Sequence, residues 1–267
     1  QFLTRFQIVV DSLLEGGAVA AHSFSPRAVQ AIWSEQKEVA EFLAGQEGVF
    51  RVYSPSYSLP QHLAARYGLE QADGVDPMQL QAYAAFMREA TGIPQAGYSV
   101  TIPPFDGEVA FANEPYVPNA ALLGWLDVHY VVAEFDLQAD GLVLERSFGT
   151  TRVYRNTLAR PRAWVEASNG LQETEGIWTP NRIEVTASGP GRLVLSELQY
   201  PGWRVSVDGR PAEMIHTAYR LLRGVEIAAG DHQVVFEFRP LSLYMGWALF
   251  FAAFIWLIAS LFFARRT

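Results

Sequence analysis

The sequence predicts an α+β protein: a mixed α/β outer region, then an antiparallel β-sandwich, then one C-terminal transmembrane helix. Three observations lead there. Apolar residues recur at helical spacing in 26–44 and 77–91. From about Pro161 onward, short alternating segments follow one another between turn signals. Finally, 243–264 is an apolar run that holds no charged residue.

Residues 1–25 contain several small residues and little periodicity, and read as a connector from an upstream membrane part. Across Pro26–Ala44, Ala28, Ile32, Val39, Phe42 and Leu43 form the apolar stripe of a helix, with Ser25 as cap and Pro26 in its first turn. Val49–Ser54 alternates as a strand and stops at Pro55. Residues 55–76 are rich in turn formers, and Pro77–Thr91 reads as a second helix with Asp76 as cap and Gly92 as stop. A proline-studded loop covers 93–118, followed by a short helix over Asn119–Leu126 and a buried-type strand over 128–135. "LVLERSF" and "TRVYRN" make a hairpin across Gly149-Thr150. Residues 26–158 are thus one mixed extracytoplasmic region.

Residues 159–240 form the β-sandwich domain, with turns expected at Ser188-Gly189-Pro190-Gly191, Asp208-Gly209 and Gly230-Asp231. In "YPGWRVSVDGRPA", Val205 and Val207 alternate with polar residues, so one face is buried and the other wet. The span 243–264 would reach roughly 33 Å as a helix, against a bilayer core of about 30 Å. Its Leu, Ile and Phe residues favour insertion by roughly 3–6 kcal/mol before polar contributions. Arg265 and Arg266 directly follow it, which places the C-terminus in the cytoplasm and residues before about 240 outside; Tyr244 and Trp247 suit the outer interface. The chain begins at Gln1 with no signal peptide, so it is expected to be the C-terminal piece of a longer membrane protein.

Composition narrows function. A net charge of −8 without a basic stripe argues against nucleic acid as a partner. With no cysteine there is no disulfide, thiolate site or cysteine nucleophile. The five histidines, His22, His62, His129, His216 and His232, are scattered without metal-ligand spacing. Asp73 and Asp76 in "EQADGVDP" could pair as acids or hold a divalent metal, but Asp-Gly and Asp-Pro read first as turn and cap chemistry. "GYSVT" at Gly97 lacks the second glycine of a nucleophile elbow. No catalytic residue, cofactor site or metal site is therefore assigned. Exposed aromatics are the remaining ligand candidates: Trp203, with Tyr200 and Tyr219, could contact a glycan, although Trp203 reads first as packing beside the Pro201-Gly202 turn.

The segment "LSELQYPGWRVSVDGRPAEMIHTAYRLLRGVEIAAGDHQVVFEFRPLSLYMGWALF" resembles the C-terminal end of the YfhO-type bacterial polytopic membrane proteins, which have the GT-C glycosyltransferase architecture. "LLGWLDVHYVV" at 122–132 and "VYRNTLARPRAWV" at 153–165 resemble the preceding segments of that family. The resemblance implies many upstream transmembrane helices, with catalysis by acidic residues in an early loop on a lipid-linked sugar; none of those residues lies in this chain. It implies a non-catalytic extracytoplasmic portion that positions an acceptor of cell-envelope glycan or lipid synthesis, or braces the membrane-embedded catalytic half. Its partners would be the bilayer, the upstream helices and a glycan or lipid-linked sugar. The alternatives are a singly anchored carbohydrate-binding module or a structural cell-surface module.

Overall fold

The computed structural model describes residues 26–75, 79–94, 99–100, 109–217 and 221–264. The expected connector 1–25, the cap residue Asp76, the elbow-like Gly97, His22, Tyr219 and the flanking Arg265 and Arg266 lie outside them.

Helix α1 occupies Pro26–Ala44, as its periodicity predicts. Strand β1 (Arg51–Tyr53), helix α2 (Gln61–Arg66) and the short β2 (Glu70–Gln71) follow, then β3 (Gly74–Val75). Helix α2 is missing from the sequence expectation; six residues are too few for a periodic signal, and the neighbouring prolines read as turn. Helix α3 runs Gln81–Thr91, not from Pro77, with Leu80 at its N-cap and no side-chain cap bond. Its expected stop is present: Gly92 takes a left-handed φ of 75°, and its N–H bonds the Arg88 carbonyl. Beyond β4 (Ser99–Val100), Asn119 caps α4 (Ala120–Trp125) by accepting from the Leu122 N–H. Strand β5 (Val128–Ala133) and the hairpin β6 (Leu142–Phe148) and β7 (Thr151–Asn156) complete the first half.

These strands build a five-stranded sheet ordered β2-β1-β5-β7-β6. β2, β1 and β5 run parallel; β7 and β6 continue antiparallel. Alternation along β5 sends its residues to both faces. Tyr130 and Val132 join Val39, Ala40 and Leu43 of α1 in one core. Val131 and Ala133 join Phe86 and Met87 of α3 and Leu123 in another.

The second half consists of β8 (Ala163–Ala167), β9 (Gly170–Glu173), β10 (Gly176–Thr179), β11 (Arg182–Leu198), β12 (Trp203–Val207), β13 (Arg210–Ala212), β14 (Ile215–His216) and β15 (Leu222–Phe238). All eight belong to one antiparallel sheet. Two expected turns are not turns. Strands β11 and β15 pass straight through Gly189-Pro190 and Gly230, which pair with each other across the ladder with a register shift. A Cβ on Gly189 would collide with the Ala228 carbonyl oxygen, so glycine here serves close backbone approach within a bent strand. The Asp208-Gly209 reversal is present, with φ of 51° and 75°, joining β12 to β13.

One face of this sheet builds a core of its own along the whole length of β11. Ile183 and Val185 from the first half of β11 cluster with Leu193 and Leu195 from its second half, and with Val225, Val234 and Phe236 of β15. The opposite face of the same strands is also buried. Trp164 of β8, Val194 of β11 and Leu222 of β15 enter the core that holds α3, α4 and β5. The mixed region and the β region therefore share a hydrophobic core instead of meeting at a polar seam.

After Pro240, helix α5 runs Leu241–Ala264. From Leu241 to Leu257 every residue is exposed. Counted over the described residues, which give α5 side chains only as far as Leu257, no helix is long and apolar enough to cross a membrane.

Candidate functional site

Charged and polar groups concentrate in two places where the five-stranded sheet meets its surroundings. The first is the junction between the sheets. Arg51, at the start of β1, donates from Nη1 to the carbonyls of Leu126 (3.0 Å) and Ser196 (2.8 Å) and from Nη2 to Glu197 (3.0 Å). Its Nε lies 3.3 Å from Glu70 of β2. Arg162 reaches Glu197 at 2.7 Å, Glu70 at 2.8 Å and Asp127 at 3.3 Å. Arg223 of β15 lies 3.5 Å from the other oxygen of Glu197. Three guanidiniums thus meet three carboxylates, and buried charge is compensated.

The compensation is uneven. Burial pulls Arg162 down, but Glu197, Glu70 and Asp127 more than offset it. Arg223 has one acidic partner and two arginines nearby, and burial holds it down to about 10. Its Nε and Nη1 have no hydrogen-bond partner. The Trp203 ring covers them instead, 3.7 Å from the guanidinium carbon to the centroid. Asp127, fully buried at a left-handed φ of 59°, also lies 3.0 Å from His129 Nε2, without hydrogen-bond alignment. Burial lowers the His129 imidazole, and the Asp127 carboxylate outweighs that to raise it.

Trp203 thereby has a role. It is partly buried against the β core, tilted on Phe238 at 5.4 Å, and stacked on Arg223. Tyr200 is exposed, 6.3 Å from the same Phe238. Of the three expected ligand contacts, Trp203 and Tyr200 thus share Phe238, and Tyr219 lies outside the described residues. The hairpin tip is tied down as well: Asp208 accepts from the Gln233 N–H at 2.9 Å and meets His232 Nδ1 at 2.7 Å.

The second place is the carboxyl edge of the parallel strands β1, β2 and β5, the position where open α/β sheets offer a crevice. Ser54 follows β1, Asp73 follows β2 and Glu134 follows β5. The loop 54–59 is held by its own hydroxyls. Ser54 Oγ donates to the Val132 carbonyl and accepts from the Leu59 N–H, Ser58 donates to Glu134, and the Ser56 and Ser58 hydroxyls lie 2.5 Å apart. Among the described residues their hydrogen-bond partners are backbone groups, Glu134 and one another, so these serines shape the loop.

Asp73 is different. It is 5% exposed; Oδ1 accepts from the Ser54 N–H at 3.0 Å, and Oδ2 has no partner. Burial pushes its carboxyl up to about 7, despite that N–H bond. Asp73 lines a cavity of about 220 Å³ with Gln61, Gln71, Gln79, Leu80 and Tyr83. Among the described lining residues it is the only acid, and none of them is a histidine; Asp76, its sequence neighbour in the expected acid pair, lies outside the described residues. Among the described residues, no group of three or more His, Asp or Glu side chains could hold a metal ion.

The sequence reading weighed Asp73 and set it aside as turn chemistry, since nothing local distinguishes a buried Asp-Gly from an exposed one. The junction arginines went unnoticed. The available signal was a charge inside an apolar strand, Arg223 between Leu222 and Gly224-Val225. No family model, curated protein or solved structure matches the chain.

Proposed function

We propose that this chain is the non-catalytic extracytoplasmic part of a polytopic membrane glycosyltransferase of the YfhO type, anchored by α5 and bracing the membrane-embedded half or positioning its acceptor. The observation that carries the reading is α5 itself. It leaves the folded body at Pro240 and exposes Leu, Phe, Ile and Trp side chains, among them Leu249, Phe250, Ile255 and Trp256. A helix apolar all round is covered by protein or lipid. At 24 residues, α5 extends about 36 Å, enough for a bilayer core of about 30 Å. We read the folded-over eight-stranded sheet as the β-sandwich of this outer domain. Its two buried faces and compensated charges fit a brace.

The test is placement. The chain should remain with membranes after carbonate extraction, and a single cysteine replacing Ser188 should react with an impermeant maleimide in intact cells. Release by carbonate would overturn the anchor, and labelling only after lysis would overturn the orientation. The glycosyltransferase assignment fails separately if the encoding gene specifies no array of apolar spans ahead of Gln1.

A further inference from the structure

The cavity beside Asp73 contains a buried carboxyl that its described surroundings do not satisfy. A buried carboxyl oxygen without a partner costs free energy that packing alone would not retain. Folding has supplied Oδ1 with the Ser54 N–H and left Oδ2 buried without a partner, on a residue that lines the recess. Around it, Gln61 accepts from the Val75 N–H at 3.2 Å through Oε1, and Gln71 donates to the Leu59 carbonyl at 2.6 Å through Nε2. These bonds fix both amides, leaving the Gln61 amino group and the Gln71 carbonyl as further donor and acceptor. Gly74 keeps the wall thin: a Cβ there would collide with Gln61 Nε2. Leu80, Leu198, Val75 and the Tyr83 ring supply apolar surface.

We infer that this recess binds a single neutral saccharide ring, with Asp73 Oδ2 as the acceptor of a ring hydroxyl. A sugar hydroxyl both donates and accepts, so it can satisfy a carboxyl and fixed amides together. The C–H face of a pyranose matches the leucine and tyrosine wall. The volume, about 220 Å³, is below the roughly 300–1,000 Å³ of drug-sized pockets and suits one ring rather than a chain. A divalent cation fits less well, because it takes six or more oxygen ligands and the described lining residues offer one carboxylate. The inference does not depend on the glycosyltransferase assignment, since the recess is built from residues of this chain alone.

The experiment uses saturation-transfer NMR on the full chain in phospholipid nanodiscs, with methyl α-D-glucopyranoside, methyl α-D-mannopyranoside and N-acetylglucosamine as probes. At least one should show transfer to its ring protons. Asp73→Asn keeps an acceptor for the Ser54 N–H but replaces Oδ2, and should weaken binding by about tenfold or more, the effect of one hydrogen bond to a charged group. Val75→Trp, placed at an exposed wall residue, should block the recess without entering the core. Trp203→Ala should leave sugar binding intact. Binding by none of the probes, equal binding by wild type, Asp73→Asn and Val75→Trp, or loss through Trp203→Ala would each overturn the inference. Saturable Ca²⁺ binding in place of sugar would overturn it as well.

Discussion

The sheet junction and the Asp73 recess both take charge out of water, and they treat it in opposite ways. At the junction, Glu197 alone meets Arg51, Arg162 and Arg223, and every carboxylate has a guanidinium within 3.5 Å. In the recess one carboxyl is buried with a single N–H bond and no cation in its cavity wall. Compensated burial is architecture: it ties β1, the segment before β8, β11 and β15 together. Uncompensated burial is a standing cost, and a protein retains such a cost where a ligand or a reaction uses it.

The largest effect expected from breaking this comparison is at Glu197. Glu197→Gln removes the anion that three arginines share and should lower stability by about 3–5 kcal/mol in urea unfolding. A loss below about 1 kcal/mol would mean the junction is a solvated surface network. The recess should respond with the opposite sign. Asp73 has a folded pKa of about 7 against an ordinary 3.8, so the folded state holds the proton more tightly. Stability should fall as pH rises from about 4 to 7 and stay reduced above it. Asp73→Asn should abolish that fall and stabilise the protein at pH 8 by about 2–4 kcal/mol, following the cost of about 1.4 kcal/mol per pKa unit. Among the described residues, Tyr57 and Tyr83 also act there, and burial raises both phenols further above that window. A flat pH profile in wild type would show that Asp73 is already paired.

Trp203→Ala is intermediate. Its ring is only partly buried, so the loss should be about 2–3 kcal/mol, short of the 3–5 of a fully buried Trp, including about 1 for the contact with Arg223. Measured in the Glu197→Gln background, the same change should cost a different amount, because the two act on one guanidinium. The smallest effect is expected at Lys37, whose pair with Glu41 is exposed on α1. Lys37→Ala should shift stability by no more than about 0.5 kcal/mol, setting the scale of an ordinary surface pair against the junction.

Much of the secondary structure was legible in the sequence. Helix α1, the β6–β7 hairpin, the Gly92 stop and the Asp208-Gly209 reversal each depend on residues within four positions of one another, and all stand where their local signals put them. The same local reasoning erred at Gly189-Pro190 and Gly230, because a glycine that reverses a chain and one that lets two strands approach carry the same letter. The candidate site was hardly legible. Asp73 was weighed as an acid and read first as a turn residue, and Trp203 was read first as packing beside its turn, with no sign of its Arg223 partner.

By itself, then, the sequence determined the existence of the longer helices, the antiparallel strand-rich second half, the uncharged C-terminal run and the lack of any cysteine chemistry. Those properties follow from composition and short-range periodicity. Tertiary structure alone decided that two long strands would bend as continuous ribbons and that the two halves would share a core. It also decided that Arg51, Arg162 and Arg223 would converge on Glu197, and that one carboxyl oxygen of Asp73 would be buried without a partner. Each depends on contacts between residues far apart along the chain, where burial and charge pairing are set by packing and local pattern carries no record of the partner.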